Sequence, residues 1–197
     1  MPSETVVVKS ISKTVSEGFF YYFGYGSNLL KERIHVQIKE AVFESTGVLS
    51  SHELTFYDSS RRWFGAIASI EPKPISKVWG CIWKVPNSFA DELDLQESGY
   101  HRLDVNVQVQ GPNGIQTEIL CRTYQYSNPE RKQLPPSPHY KHVIVKGALE
   151  HSLPEEYIKE LMVIQDNGYK GRVELDLNVL RELNRQHEMN KENPMGA

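Results

Sequence analysis

The chain has few cysteines, no long run of one charge and no long apolar run, and each shortage closes off a class of protein. Among 197 residues the only cysteines are Cys81 and Cys121. Both lie in apolar, strand-like stretches where a free thiol is an ordinary core residue, so no disulfide framework is expected. No stretch approaches the roughly 20 apolar residues that span a bilayer, and residues 1–16 lack the apolar centre of a signal peptide. The expectation is a cytoplasmic protein without a membrane partner. The formal net charge is -3, and the missing Lys/Arg run argues against a nucleic-acid surface, which needs clustered positive charge. Internal repeats and low-complexity tracts are also missing. What remains is a chain with 39% hydrophobic residues, long enough to bury one core and to act on a small molecule.

The most informative stretch present is Phe19-Phe20-Tyr21-Tyr22-Phe23-Gly24-Tyr25-Gly26-Ser27-Asn28-Leu29-Leu30. An aromatic run of this kind suits a pleated, buried strand. Gly24 and Gly26 allow positive φ and close backbone approach, and Ser27 or Asn28 can cap a helix that follows. Strand, tight turn and helix start together aim free backbone N–H groups outward, a site for an anion or a developing oxyanion. Read alone, a glycine turn between a strand and a helix is most often only a turn. It is not a dinucleotide fingerprint, because the third glycine is replaced by Leu29. Nor is it a nucleophile elbow, since Leu29 also stands where a glycine should follow Ser27 by two.

Further along, Ala41 to Phe43, Glu53 to Tyr57, Gly65 to Ile70 and Lys77 to Val85 read as strands, the later two ended by nearby prolines. Leu103 to Gln110 and Ile115 to Tyr126 read as a hairpin about Gly111-Pro112-Asn113-Gly114. Helices are expected at Pro86 to Glu97, with Asn87 or Ser88 as cap, at Tyr140 to Leu149, and at Glu155 to Ile164 behind Pro154 at N1. This pattern predicts an α+β fold: a small, mixed, mostly antiparallel β-barrel with flanking helices. The expected organisation is a flexible N-terminal arm over 1–18, one domain over 19–183, and a flexible C-terminal tail over 184–197.

One carboxylate interrupts an apolar stripe. Phe89, Ala90 and Leu93 share a helical face, and four residues beyond Leu93 comes Glu97. The position fits a solvated helix end, and it also fits a general base whose pKa is raised in a partly desolvated cavity. The polar stretch Ser98-Gly99-Tyr100-His101-Arg102 would line such a cavity. His139 and His142 lie three apart, but no acidic or cysteine pair completes a metal set, so no metal is expected. Trp79, Cys81 and Trp83 share one strand face and read as core. Arg61-Arg62-Trp63 fits a solvated loop or contact with an anionic substrate.

These pieces, in this order, resemble the γ-glutamylcyclotransferase family over about Phe19 to Gly171. The stretches that carry the resemblance are Tyr25 to Leu30 with Glu32-Arg33-Ile34, Val78-Trp79-Gly80 with Trp83-Lys84, Gln96-Glu97, and Pro135-Pro136-Ser137-Pro138-His139-Tyr140-Lys141. The resemblance implies no cofactor, a small-molecule γ-glutamyl substrate, and conversion of a γ-glutamyl amino acid to 5-oxoproline and the free amino acid. By the same resemblance Glu97 matches the family's acid/base glutamate. Tyr22, Phe23, Gly24, Tyr25, Gly26 and Ser27 fall on the loop that binds the γ-glutamyl group, and Tyr140 on a tyrosine of the same pocket. A homodimer is implied by the resemblance only. Two other readings of the same fold are a silent module that binds a γ-glutamyl metabolite or a protein, and a cyclotransferase specific for γ-glutamylamines or glutathione.

Overall fold

A computed structural model describes residues 18–96, 99–111 and 114–192, the side chains of residues 96 and 186–192 excepted. The arm over 1–17, Glu97, Ser98, the hairpin tip Pro112-Asn113 and residues 193–197 lie outside the described residues.

The aromatic run forms strand β1 (Phe19–Gly24) and enters a short 3-10 turn (Ser27–Leu29) and a one-turn helix α1 (Lys31–Ile34). Two long strands follow, β2 (Val42–Ser60) and β3 (Gly65–Pro86), then a 3-10 turn (Asn87–Phe89) leading into α2 (Ala90–Gln96). The hairpin of β4 (Tyr100–Gln110) and β5 (Gln116–Tyr126) precedes three helices, α3 (Pro138–Glu150), α4 (Glu155–Val163) and α5 (Asn178–Glu192). The strands close on themselves in the order β1-β3-β2-β4-β5. All neighbours are antiparallel except β1 and β5, which run parallel at Tyr22 and Arg122. This is the expected α+β ring with helices outside it.

Several local expectations differ. The four short strands predicted between Ala41 and Val85 merge into β2 and β3, and Pro72 and Pro74 do not end β3. The chain instead slips register near them, between Ser50 and His52 of β2, where Pro72 stands opposite His52. A proline is tolerated where a bulge removes the need for its N–H, and such bulges let a long strand bend around a small ring. Neither Asn87 nor Ser88 caps α2: the flanking residue is Pro86, with no side-chain bond to the turn. Helix α3 starts at Pro138, two residues before the expected Tyr140, with Ser137 Oγ accepting from the Tyr140 N–H at 3.1 Å. Proline fits that first position because its missing N–H has no partner there anyway. Pro154, by contrast, is the residue before α4 and not its first. Helix α5 runs through the boundary placed at 184, and Val173, Leu177 and Leu180 are buried in the core.

The core fills both faces of β3. Phe23, Cys81, Ile82, Trp83 and Val85 are fully buried. Trp83 packs outward from the ring, its Nε1–H donating to the Asn28 carbonyl at 3.0 Å and its indole meeting His151 edge-on. Helix α3 lies so close to the 3-10 turn that a Cβ on Gly147 would sit 2.4 Å from the Leu30 nitrogen. That contact is backbone against side chain with nothing to yield, so glycine is what seats α3 against the turn. Both cysteines are buried and free, as expected of core thiols. Burial pushes Cys121 up to about 12 and raises Cys81 as well, so neither is a thiolate at neutral pH.

The segment between β5 and α3 is stapled to the far end of β2 by Asp58. Its carboxylate accepts from the Lys132 backbone N–H at 2.9 Å, from Asn128 Nδ2 at 2.8 Å and from the Tyr126 hydroxyl at 2.8 Å. These donors, the Lys132 N–H foremost, hold its carboxyl below the ordinary 3.8. A depressed folded-state pKa contributes stability that is present above the unfolded value and lost as pH falls through the folded one. Asp58 also has φ 47°, a left-handed conformation that Asn tolerates as well. Asp58→Asn is therefore expected to melt below the wild type at neutral pH, with the difference shrinking as pH drops below 3.8. Thermal melts across that range check it; a gap that does not change with pH would show that the charge is not what holds the segment.

Candidate active site

Two cavities adjoin where the glycine turn meets α3. The smaller, about 40 Å³, takes Tyr22 from β1, Tyr25, Gly26, Ser27 and Asn28 from the turn, and Ala68, Tyr100, Tyr124 and Tyr140 from β3, β4, β5 and α3. The larger, about 400 Å³, shares Ser27, Tyr100 and Tyr140 with it and extends past Arg33, Arg61, Arg62 and Leu95. Five of the residues expected from sequence thus come together: Tyr22, Tyr25, Gly26, Ser27 and Tyr140. Phe23 does not join them. Successive strand residues face opposite ways, so Tyr22 points into the pocket while Phe23 is buried against Gly80, whose Cβ would meet the ring at 2.5 Å. Gly24 is also outside the lining.

Of the two properties expected of the glycine turn, close approach to the backbone is used and positive φ is not. Neither Gly24 nor Gly26 has positive φ; Gly26 is at φ -105°. The requirement is space. A Cβ on Gly26 would lie 3.2 Å from both the Tyr140 hydroxyl and the Ala68 Cβ, inside the small pocket. Ser27 and Asn28 are not caps either. The residue before the turn is Gly26 with no side-chain bond, and Asn28 is buried, its Nδ2 donating to the Tyr22 hydroxyl at 3.0 Å. The first N–H groups of any helical turn find no partner within it, which leaves those near Ser27 beside the pocket.

Tyrosines tie the strands together around this space. The Ala68 N–H donates to the Tyr140 hydroxyl at 3.2 Å, and the Tyr100 hydroxyl donates to the Ala68 carbonyl at 2.7 Å. Tyr25 donates to the Tyr124 carbonyl at 2.5 Å. The Tyr124 hydroxyl donates in turn to Asp94 on α2, and Arg122 reaches the same carboxylate at 3.5 Å. Burial first, and then the Asp94 carboxylate, raises Tyr124 above its ordinary value, so it stays protonated. This bond, with fully buried Leu93, fixes α2 over the pocket. Beyond it Leu95 is exposed at 76% and lines the larger cavity.

Sequence reasoning missed Ala68 and Tyr124, and named Asn28 only as a cap. Tyr100 lay in the polar stretch expected to line the cavity, but its neighbours His101 and Arg102 are exposed. No local signal marks Ala68 or Tyr124; pairing across the ring brings them in. Among the described lining residues of both cavities there is no carboxylate and no histidine.

A model of the AIG2-like family matches residues 77–161. The gamma-glutamylcyclotransferase of Bos taurus is 44% identical over 158 residues, covering 78% of this chain and 83% of the bovine protein. That of Homo sapiens is 41% identical over 161 residues, covering 80% and 85%. A solved gamma-glutamyl cyclotransferase structure superposes with a TM-score of 0.76 at 38% identity, covering 85% of this chain and 99% of that one.

Proposed function

This chain belongs to the γ-glutamylcyclotransferase family and is an enzyme of that activity, and on that premise we propose that it converts γ-glutamyl amino acids to 5-oxoproline, with Glu97 as general acid/base. The substrate's own α-amine attacks its γ-carbonyl carbon, forming the ring C–N bond. Glu97 takes the amine proton and returns it to the departing nitrogen as the original amide bond breaks, which releases the free amino acid. No protein nucleophile is needed. Holding the chain folded for attack contributes much of the rate, since well-oriented intramolecular reactions reach effective molarities of roughly 10⁵ M and above. Gly26 and Ser27 N–H groups would bind the substrate carboxylate or the oxyanion of the tetrahedral intermediate.

The observation that supports Glu97 is the composition of the lining. The described walls offer hydroxyls, the amides of Asn28 and Gln37, and guanidiniums, none of which takes a proton near neutral pH. Glu97 itself lies outside the described residues, but Leu95 and Tyr100, two before and three after it, both line the larger cavity. Asp94, the nearest described carboxylate in sequence, is already engaged by Tyr124 and Arg122.

A cytoplasmic location and a homodimer complete the proposal. Two unpaired buried thiols suit a reducing compartment, and dimerisation rests on the family resemblance alone. Incubating the pure protein separately with γ-glutamyl-alanine, glutathione and ε-(γ-glutamyl)lysine, and quantifying 5-oxoproline, tests the reaction. γ-Glutamyl-alanine is expected to give the highest kcat/KM. A folded protein that binds a γ-glutamyl analogue yet releases no product from any of the three would be a binding module instead.

A further inference from the structure

The larger cavity carries a charge asymmetry that the ring closure does not use. Arg33, Arg61 and Arg62 line it, and none of its described lining residues is acidic. In a chain of formal net charge -3 this is a local reversal of sign. Arg61 and Arg62 stand in the turn between β2 and β3, exposed, while the next residue, Trp63, is buried with its ring 4.8 Å from that of Tyr140. The turn is further closed by the Phe64 N–H donating to the Ser60 carbonyl at 2.8 Å and the Arg62 N–H to Ser60 Oγ at 3.2 Å. Indole and turn together fix the backbone from which Arg61 and Arg62 project at the edge of the site.

Size says what part of the substrate reaches them. The inner pocket, about 40 Å³, opens onto a cavity about ten times larger across the shared Ser27, Tyr100 and Tyr140, so a dipeptide whose γ-glutamyl end enters the inner pocket extends into the neighbouring cavity. Resting on the cyclotransferase reading, we infer that this cavity receives the departing amino acid and that Arg61 and Arg62 bind its α-carboxylate. A guanidinium presents a planar fork of donors that matches a carboxylate, which is why arginine suits this task. The inference specifies the substrate class: γ-glutamyl compounds whose leaving residue carries a carboxylate one carbon from the scissile nitrogen. γ-Glutamylamines have none there, and in glutathione that position is an amide.

The test compares γ-glutamyl-alanine with γ-glutamyl-alaninamide, which differ only in that charge, on the wild type and on the double variant Arg61→Gln, Arg62→Gln. The wild type is expected to favour the carboxylate by about tenfold in kcat/KM, the scale of a charge-assisted hydrogen bond. Added salt should shrink that preference, because exposed charges are screened. The double variant should treat both compounds alike, and since both side chains are exposed its melting temperature checks that the fold is kept. Equal kcat/KM for the two compounds in the wild type, or a preference that survives in the variant, overturns the inference while leaving the cyclotransferase reading intact. If the wild type releases no 5-oxoproline from either compound, the cyclotransferase reading fails and the assignment of the arginines falls with it.

Discussion

Replacing Glu97 by Gln should leave a folded protein that binds γ-glutamyl compounds nearly as well as the wild type but turns them over about 10² to 10⁴ times more slowly, the usual worth of a general acid–base step. Gln preserves the length and the hydrogen-bonding reach of the side chain and removes only its capacity to carry a proton. The expectation follows from what else lines the site. Tyr22, Tyr25, Tyr100 and Tyr140 are phenols, and burial and Asp94 hold Tyr124 protonated. With no carboxylate or histidine among the described residues of either wall, no described lining group is placed to substitute for Glu97. The split between constants is diagnostic: a loss confined to kcat marks an interaction made only in the transition state, whereas a loss confined to KM marks substrate binding alone. Activity within a few-fold of wild type would sink the assignment of Glu97.

Gly26→Val should abolish turnover for a different reason. The new Cβ would stand 3.2 Å from the Tyr140 hydroxyl and equally close to the Ala68 Cβ, and two further methyls would occupy a pocket of about 40 Å³. Overfilling of this kind costs typically about 1 to 3 kcal/mol in stability. The larger effect is on substrate, which loses both the space and its approach to the turn's backbone. Gly26→Ala, which adds the Cβ without the branches, is expected to fall between valine and wild type, because neighbours must yield only a few tenths of an ångström. Kinetics on both variants, with melts to confirm folding, give the ordering. A folded valine variant with wild-type turnover would mean that Gly26 only shapes a turn.

The positions that sequence could read are those whose reason is local. Alternating apolar residues marked the hairpin of β4 and β5, because side-chain period acts over a few residues, while α3 was found but begun two residues late, at Tyr140 instead of Pro138. The glycine turn was found for the same reason, although φ was the wrong explanation for it: the constraint at Gly26 comes from Tyr140 and Ala68, distant in the chain. Phe23 was grouped with the site by adjacency, and strand alternation turned it into the core. The long run of β3 through Pro72 and Pro74 was not legible, because the register slip that accommodates them depends on its pairing with β2.

Sequence by itself determined the class of the fold, the turn and the candidate acid/base, since each rests on residue types at short, fixed spacings, and it carried the resemblance to the family. Tertiary structure decided which hydroxyls face one another. Ring closure brings Tyr22, Ala68, Tyr100 and Tyr124 from four strands to one pocket, and the seating of α3 by Gly147 adds Tyr140. It also placed Arg61 and Arg62 beside that pocket, where a local reading had left a solvated loop open, because Trp63 packs on Tyr140. Contacts of this kind arise from strand pairing and helix docking across many tens of residues, and no spacing within a segment encodes them.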